Sequence, residues 1–325
     1  MKTRAIRVHE FGGPEVLRWE EVEVPEPRAG EIVMRHTAVG VNFVDVYQRT
    51  GLYRNPLPFI PGSEAAGRVE EVGEGVLELR AGDRVAYGNA PPGAYSERRV
   101  VPADRVVKLP DDVGEQLAAA VMLKGMTAEL LLRRTFPVQR GQTILFHAAA
   151  GGVGLLAVQW AKALGATVIG TVSTDEKAAL ARKFGCDHVV VTSREDFVAK
   201  VREVTSGRGV PVVYDSVGRD TYAKSLECLA PRGMLVLFGQ SSGPVPPIDP
   251  LVLSKGSYYL TRPSLFGYNA RREELVASAA ALFEQIESGQ VTVEVNHSYP
   301  LERAADAHRD LEGRKTTGSC LLLPP

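Results

Sequence analysis

The stretch Ala148-Ala149-Ala150-Gly151-Gly152-Val153-Gly154 decides the fold. It follows a strand-like apolar run, Thr143–Phe146, and precedes an apolar helical pattern over 155–164. Strand, glycine turn and helix N-terminus thus come in the order that a dinucleotide pyrophosphate needs. Glycines let backbone N–H groups approach the phosphates, and the helix dipole favours their negative charge. The G-x-G-x-x-G spacing falls on Ala149, Gly151 and Gly154, so alanine replaces the first glycine. A tight turn in any α/β protein is the alternative, but the flanking elements supply the context the motif requires.

Strand and helix keep alternating outward from this point. Strands are expected over 167–172, 188–191, 210–215 and 234–238, with helices over 175–184, 196–205 and 221–228 between them. Upstream, Asp111 or Asp112 is expected to cap a helix over 115–123, with a second helix over 127–134. Repeated βα units of this size build a parallel, doubly wound sheet. The strand after the glycine helix ends Gly170-Thr171-Val172-Ser173. In NAD-specific folds an acidic residue stands near that point to bind the ribose 2′-OH. Here the position holds Val172, while Ser173 and Lys177 can donate to a 2′-phosphate. A solvated surface lysine is the plainer reading of Lys177. Asp175 and Glu176 read as first-turn residues of the next helix. Ligands sit at the carboxyl ends of strands in such sheets. Ser216, Gly239, Gln240, Ser241 and Ser242 are therefore expected beside the nicotinamide half of a cofactor.

The first hundred or so residues read differently. Short strand-like runs at 5–8, 32–41, 66–72, 84–87 and 106–108 are separated by Gly- and Pro-rich turns. They suggest a partly open β-barrel. A long helix over 271–288 is followed by strand character at 291–299 and 319–323, and that tail is expected to complete the N-terminal β domain. Composition is that of a globular protein, with 44% apolar and 24% charged residues and a net charge of -1. Nothing in it favours nucleic acid or an anionic membrane as main partner. No apolar stretch approaches the length of a membrane span, and residues 1–10 form no signal-peptide core. The three cysteines, Cys186, Cys228 and Cys320, are far apart and read as buried apolar side chains in a cytoplasmic protein.

The ordered motifs resemble those of zeta-crystallin-like quinone oxidoreductases. They are His147 to Gly154 with Gln159-Trp160-Ala161-Lys162, Val41-Asn42-Phe43-Val44-Asp45, Arg49-Thr50-Gly51-Leu52-Tyr53 and Pro61-Gly62-Ser63-Glu64-Ala65-Ala66-Gly67. Further along come Ala81-Gly82-Asp83-Arg84-Val85, Lys124-Gly125-Met126-Thr127, Tyr214-Asp215-Ser216-Val217-Gly218 and Thr261-Arg262-Pro263-Ser264-Leu265. That family is a zinc-free branch of the medium-chain dehydrogenases and reductases. The resemblance implies an α/β architecture: a GroES-like β-barrel domain, residues 1–118 completed by 266–325, and a Rossmann domain, residues 119–265, with a doubly wound parallel sheet. It implies NADPH as cofactor, a small-molecule quinone as substrate and a homodimer. Carried over residue by residue, cofactor contacts fall on Asn42, Phe43, Asp45, Tyr47, Lys124, Thr127, Gly151, Gly152, Val153, Gly154, Gly170, Ser173 and Lys177. They continue on Ser216, Gly239, Gln240, Ser241, Ser242, Ser264, Leu265 and Phe266, with part of the tail over 314–318. Thr192 stands where some relatives carry a tyrosine against the adenosine phosphate, and Arg194 is an available substitute.

Zinc-dependent alcohol dehydrogenases share the implied fold. They need a thiolate and a histidine on the metal, and here the corresponding positions hold Asn42 and Ser63. No metal site is expected. A quinone accepts hydride readily, and the charge developing on its oxygen needs a few hydrogen-bond donors. Asn42, Tyr47 and Tyr53 are the candidate catalytic residues. Ordinary packing is the alternative for each tyrosine. Hydride transfer and transfer of one electron at a time both remain open. An NADPH-dependent reductase of activated alkenes such as enals and enones is the near alternative. A non-catalytic NADPH-binding or RNA-binding protein is the distant one, and the lack of a basic stripe opposes RNA. The strand-like segment 257–261 is expected to pair edge to edge in a dimer.

Overall fold

The computed structural model describes all 325 residues. Its strands are β1 (Lys2–Val8), β2 (Leu17–Glu23), β3 (Glu31–Gly40), β4 (Ala65–Val72), β5 (Arg84–Tyr87), β6 (Arg98–Pro102), β7 (Val107–Lys108), β8 (Thr143–Phe146), β9 (Thr167–Val172), β10 (His188–Val191), β11 (Val210–Asp215), β12 (Leu229–Leu237), β13 (Tyr259–Thr261), β14 (Val295–Pro300) and β15 (Ser319–Leu323). The helices are α1 (Phe43–Arg49), α2 (Glu115–Glu129), α3 (Gly152–Ala163), α4 (Asp175–Lys183), α5 (Phe197–Val204), α6 (Tyr222–Glu227), α7 (Leu265–Tyr268), α8 (Arg272–Glu287) and α9 (Ala304–Glu312). The chain divides into two compact units.

The first unit comprises Met1–Met126, Asn269–Glu287 and Val293–Pro325. Its main sheet runs β14-β15-β3-β4-β5-β7, and β6 also pairs with β3. The ten-residue β3 organises it. β4 lies antiparallel to it from Ile32 to Val39, β6 meets Glu31 to Arg35, and β15 meets Val39 and Gly40. The C-terminal tail therefore supplies a strand to the N-terminal sheet. Ile32, Met34 and Val39, kept inward by two register shifts along the strand, bury a core shared with Val69, Val85, Tyr87, Tyr95 and Leu322. β1 and β2 form a separate antiparallel pair, tied in by the Ile6 amide donating to the Tyr95 carbonyl.

The second unit comprises Thr127–Tyr268 and Ser288–Thr292. Its six strands lie in the order β10-β9-β8-β11-β12-β13, and every pairing is parallel. That order reverses direction at β8, the strand that feeds the glycine loop. Strands buried on both faces read as near-continuous apolar runs, as in Thr143–Phe146 and Val210–Asp215. This order and the β sheet of the first unit agree with the GroES-like and Rossmann expectation.

Several boundaries differ from the sequence expectation. The two helices expected over 115–123 and 127–134 are one helix, α2, which passes into a π-helical stretch, Leu130–Thr135. Gly125 does not break it. A side chain there would collide with Leu282, so the glycine serves close packing against α8. α2 begins at Glu115, so neither Asp111 nor Asp112 caps it. The strand expected over 291–299 starts only at Val295, and β12 starts earlier than expected, at Leu229.

Candidate active site

In the second unit the glycine loop leaves β8 through His147, whose ring is completely buried. The Ser225 hydroxyl donates to Asp215 Oδ2 at 3.0 Å and so accepts from His147 Nε2 at 2.9 Å. His147 Nδ1 then accepts from Thr171 Oγ1, also at 2.9 Å. Burial lowers the pKa of this histidine and keeps it neutral. Asp215 also accepts from the amides of Val217 and Gly218 and from Thr221 Oγ1. One satisfied network thus fixes the ends of β8, β9 and β11, from which the expected cofactor contacts extend. Such networks rigidify when every member is paired.

Ala148 follows in the left-handed region, φ 54°. Backbone strain of about 1 kcal/mol or more at a non-glycine residue is characteristic of functional loops. The Gly151 amide returns to the Ala148 carbonyl at 2.9 Å. Gly151 is the N-cap of α3 without a capping side chain, and no acidic residue occupies the first turn. Gly152, Val153 and Gly154 form that turn. A side chain at Gly154 would collide with the Ala148 carbonyl, so loop and helix can approach this closely only with glycine.

Gly170 lies inside β9, opposite Phe146 and Val189. Val172 is buried at the strand end, and Ser173 follows it. Thr174 caps α4, its Oγ1 accepting the Lys177 amide at 3.3 Å. Asp175 and Glu176 stand in the first turn, as read from the sequence. The loops after β11 and β12 are laced together: the Ser241 amide donates to the Ser216 carbonyl, and both the amide and Oγ of Ser242 donate to the Val217 carbonyl. Ser216, Gly239, Gln240, Ser241 and Ser242 therefore converge. Ser264 precedes α7, whose first residues are Leu265 and the half-exposed Phe266. Thr127 lies on α2.

In the first unit Asn42 caps α1 in a capping box. Its side-chain amide donates to Glu64 Oε2 at 2.9 Å. Lys124 Nζ reaches the same oxygen at 2.6 Å, and the Leu123 amide donates to Glu64 Oε1 at 2.7 Å. Lys124 and Glu64 are both buried, so this ion pair persists only because its remaining groups are hydrogen-bonded. Asp45 Oδ2 accepts from the Asn42 amide at 2.9 Å and from Tyr95 Oη at 3.1 Å. Asp45 is wholly buried, and burial pushes its carboxyl pKa up to about 7. Tyr47 packs edge-on against Tyr53 at 5.3 Å and beside Phe43 at 6.1 Å. Asn42, Phe43, Tyr47 and Tyr53 are thus gathered around α1, with Tyr53 the exposed member. Sequence reasoning quoted Glu64 only as part of a motif. The partner that fixes Lys124 lies sixty positions away, and spacing carries no signal for such a contact.

No group of three or more His, Cys, Asp or Glu side chains is placed to hold a metal. The fold and these clusters define a two-unit α/β protein with a dinucleotide-type glycine loop at the strand ends of its parallel sheet. Residues 28–111 match the alcohol dehydrogenase GroES-like domain family, and residues 152–285 match the zinc-binding dehydrogenase family. The chain is 51% identical over 323 residues to a quinone oxidoreductase of Pseudomonas aeruginosa, covering 99% of both chains. It is 47% identical to a 2-haloacrylate reductase of Burkholderia, covering 98% of both. The Escherichia coli quinone oxidoreductase solved in complex with NADPH superposes with a TM-score of 0.97 at 49% identity, over 99% of this chain and 100% of that one. The chain belongs to the quinone oxidoreductase family of medium-chain dehydrogenases and reductases.

Proposed function

We propose that this protein reduces quinones at the expense of NADPH. The carrying observation is the start of α3: a helix N-terminus with glycines and no capping side chain, in a chain sharing about half its residues with quinone oxidoreductases. The residues present fit the cofactor. The amides of the first turn of α3 face no carboxylate of their own turn, and the end of β9 offers Ser173 and Lys177 rather than an acid. Bound NADPH supplies a hydride. Gly151, Gly152, Val153 and Gly154 hold the pyrophosphate, and Ser173 with Lys177 receives the 2′-phosphate. Ser216, the 239–242 loop and residues 264–266 flank the nicotinamide.

Asn42, Tyr47 and Tyr53 are the proposed donors to the substrate oxygen that gains charge. The Asn42 amide is oriented by Glu64, which Lys124 holds in turn. Asp45 fixes the start of α1 from behind. The overall balance takes one quinone, one NADPH and one proton to hydroquinone and NADP, with water as the proton source. The protein is proposed to work as a homodimer in the cytoplasm, where its three free, buried cysteines stay reduced. No helix is long and apolar enough to cross a membrane. Similarity to the 2-haloacrylate reductase supports a second substrate class, activated alkenes.

The test is NADPH oxidation against a panel of ortho- and para-quinones, enals and a haloacrylate. Turnover of quinones with NADPH is expected. Turnover of alkenes alone would favour the second class, and none with any acceptor would refute the reading.

A further inference from the structure

We infer that Arg194 is the residue that makes the ribose end of the site select NADPH over NADH, and that Asp175 is the counter-ion it exchanges for the phosphate. The inference rests on the NADPH reading above and concerns only one corner of the second unit. Thr192, the residue after β10, donates both its amide and its Oγ1 to the Val172 carbonyl, at 2.9 and 3.1 Å. That brings the segment after β10 to the same sheet end as Ser173. From there Arg194 meets the first residue of α4 in a bidentate pair. Its two terminal nitrogens lie 2.6 Å from Asp175 Oδ1 and Oδ2. Glu195 Oε1 stands 3.5 Å from Nε, and Arg182 adds a more distant attraction on Asp175.

Asp175 is two residues beyond Ser173 and two before Lys177. The guanidinium therefore already lies at the rim of the proposed phosphate position, oriented as a fork. Its side chain is 51% exposed and that of Asp175 69%, so the pair is cheap to open. A phosphate monoester accepts the same two-pronged geometry with greater charge. NADPH can thus draw Arg194 from Asp175, whereas NADH, with only a hydroxyl there, meets a pair already neutral. An isolated carboxylate at 175 would repel the phosphate. Paired with Arg194, it costs nothing until the exchange.

The test is calorimetric titration of the full-length protein with NADPH and with NADH. Arg194→Ala is expected to weaken NADPH binding roughly tenfold to a hundredfold, the effect of losing one charge-assisted contact, and to change NADH by less than about twofold. Arg194→Lys, which keeps charge but not the fork, should fall between. Asp175→Asn, which removes the competitor, should tighten NADPH severalfold and leave NADH alone. An unchanged NADPH-to-NADH ratio in Arg194→Ala overturns the assignment to Arg194. Unchanged or weaker NADPH binding in Asp175→Asn overturns the exchange. If Lys177→Ala loses NADPH selectively while Arg194→Ala does not, the phosphate position stands and this inference falls. Equal affinity of the unaltered protein for both nucleotides would overturn the NADPH reading as well.

Discussion

At Asp45 a carboxyl group lies wholly out of water with Oδ1 lacking any hydrogen-bond partner, while Oδ2 serves Asn42 and Tyr95. Burial raises its pKa from 3.8 to about 7. An acid whose folded pKa is raised favours the fold below its unfolded value, and that contribution disappears as pH climbs through the folded one. Stability from Asp45 is therefore full below about pH 4 and lost by about pH 7, a few kcal/mol in all. Asp45→Asn keeps the acceptor geometry without the proton. Its stability relative to the unaltered protein should rise between pH 4 and 8 in urea unfolding, and a flat difference would disprove the assignment. His36 and His308 act in the opposite sense. Burial takes both to about 3, so their contribution is present above pH 6.5 and fades as the solution becomes more acid. The Glu64–Lys124 pair makes a second residue-scale prediction. Lys124→Met leaves a buried, uncompensated carboxylate and should cost about 3–5 kcal/mol. Adding Glu64→Gln should restore much of that loss, as read by the denaturation midpoint. Full additivity of the two changes would show that the pair does not interact.

Helix α3 carries the cofactor prediction at the scale of elements. Gly154→Val forces a side chain into the Ala148 carbonyl and displaces the first turn from the loop. NADPH binding should fall at least tenfold on the loss of one or more phosphate contacts, with far-ultraviolet circular dichroism unchanged. Retained affinity would mean that the loop does not hold the pyrophosphate. This element was legible because strand, glycines and helix are contiguous in sequence. Others were not. β2 reads Leu17-Arg18-Trp19-Glu20-Glu21-Val22-Glu23, and its charged outward face hides the strand until β1 is seen pairing with it. α9 is short and charge-rich, and its helical character rests on burying Ala304, Ala307 and His308 against the β core. α1 holds only seven residues, and the motif that offers Asp45 as a cofactor contact carries no sign of the Tyr95 hydroxyl that donates to it. Among the proposed site residues, motif positions in loops were readable. The bonds that orient them, Glu64 to Lys124 and Asp215 through Ser225 to His147, join distant segments and leave no local trace.

For the whole molecule the exposed edge of the six-stranded sheet argues for assembly. β13 ends the order β10-β9-β8-β11-β12-β13, and Met234, Leu235 and Val236 of β12 pair only its inner side. An uncovered edge is a ready template for a second strand, and proteins that leave one open usually blunt it with charge or proline. β13 itself reads Tyr259-Leu260-Thr261, with no charge, and Tyr259 is 57% exposed. Leu251, on the 3-10 turn leading into β13, is 72% exposed. Two copies meeting antiparallel at this edge would satisfy its open backbone groups and repeat the same contact on both sides, as a two-fold interface requires. Light scattering at micromolar concentration should therefore give twice the 35.1 kDa mass of the chain. Tyr259→Lys brings a positive charge from each copy to the same edge and should shift that mass toward a single chain. A monomer in the unaltered protein would refute the dimer, and an undisturbed dimer in Tyr259→Lys would move the interface away from β13.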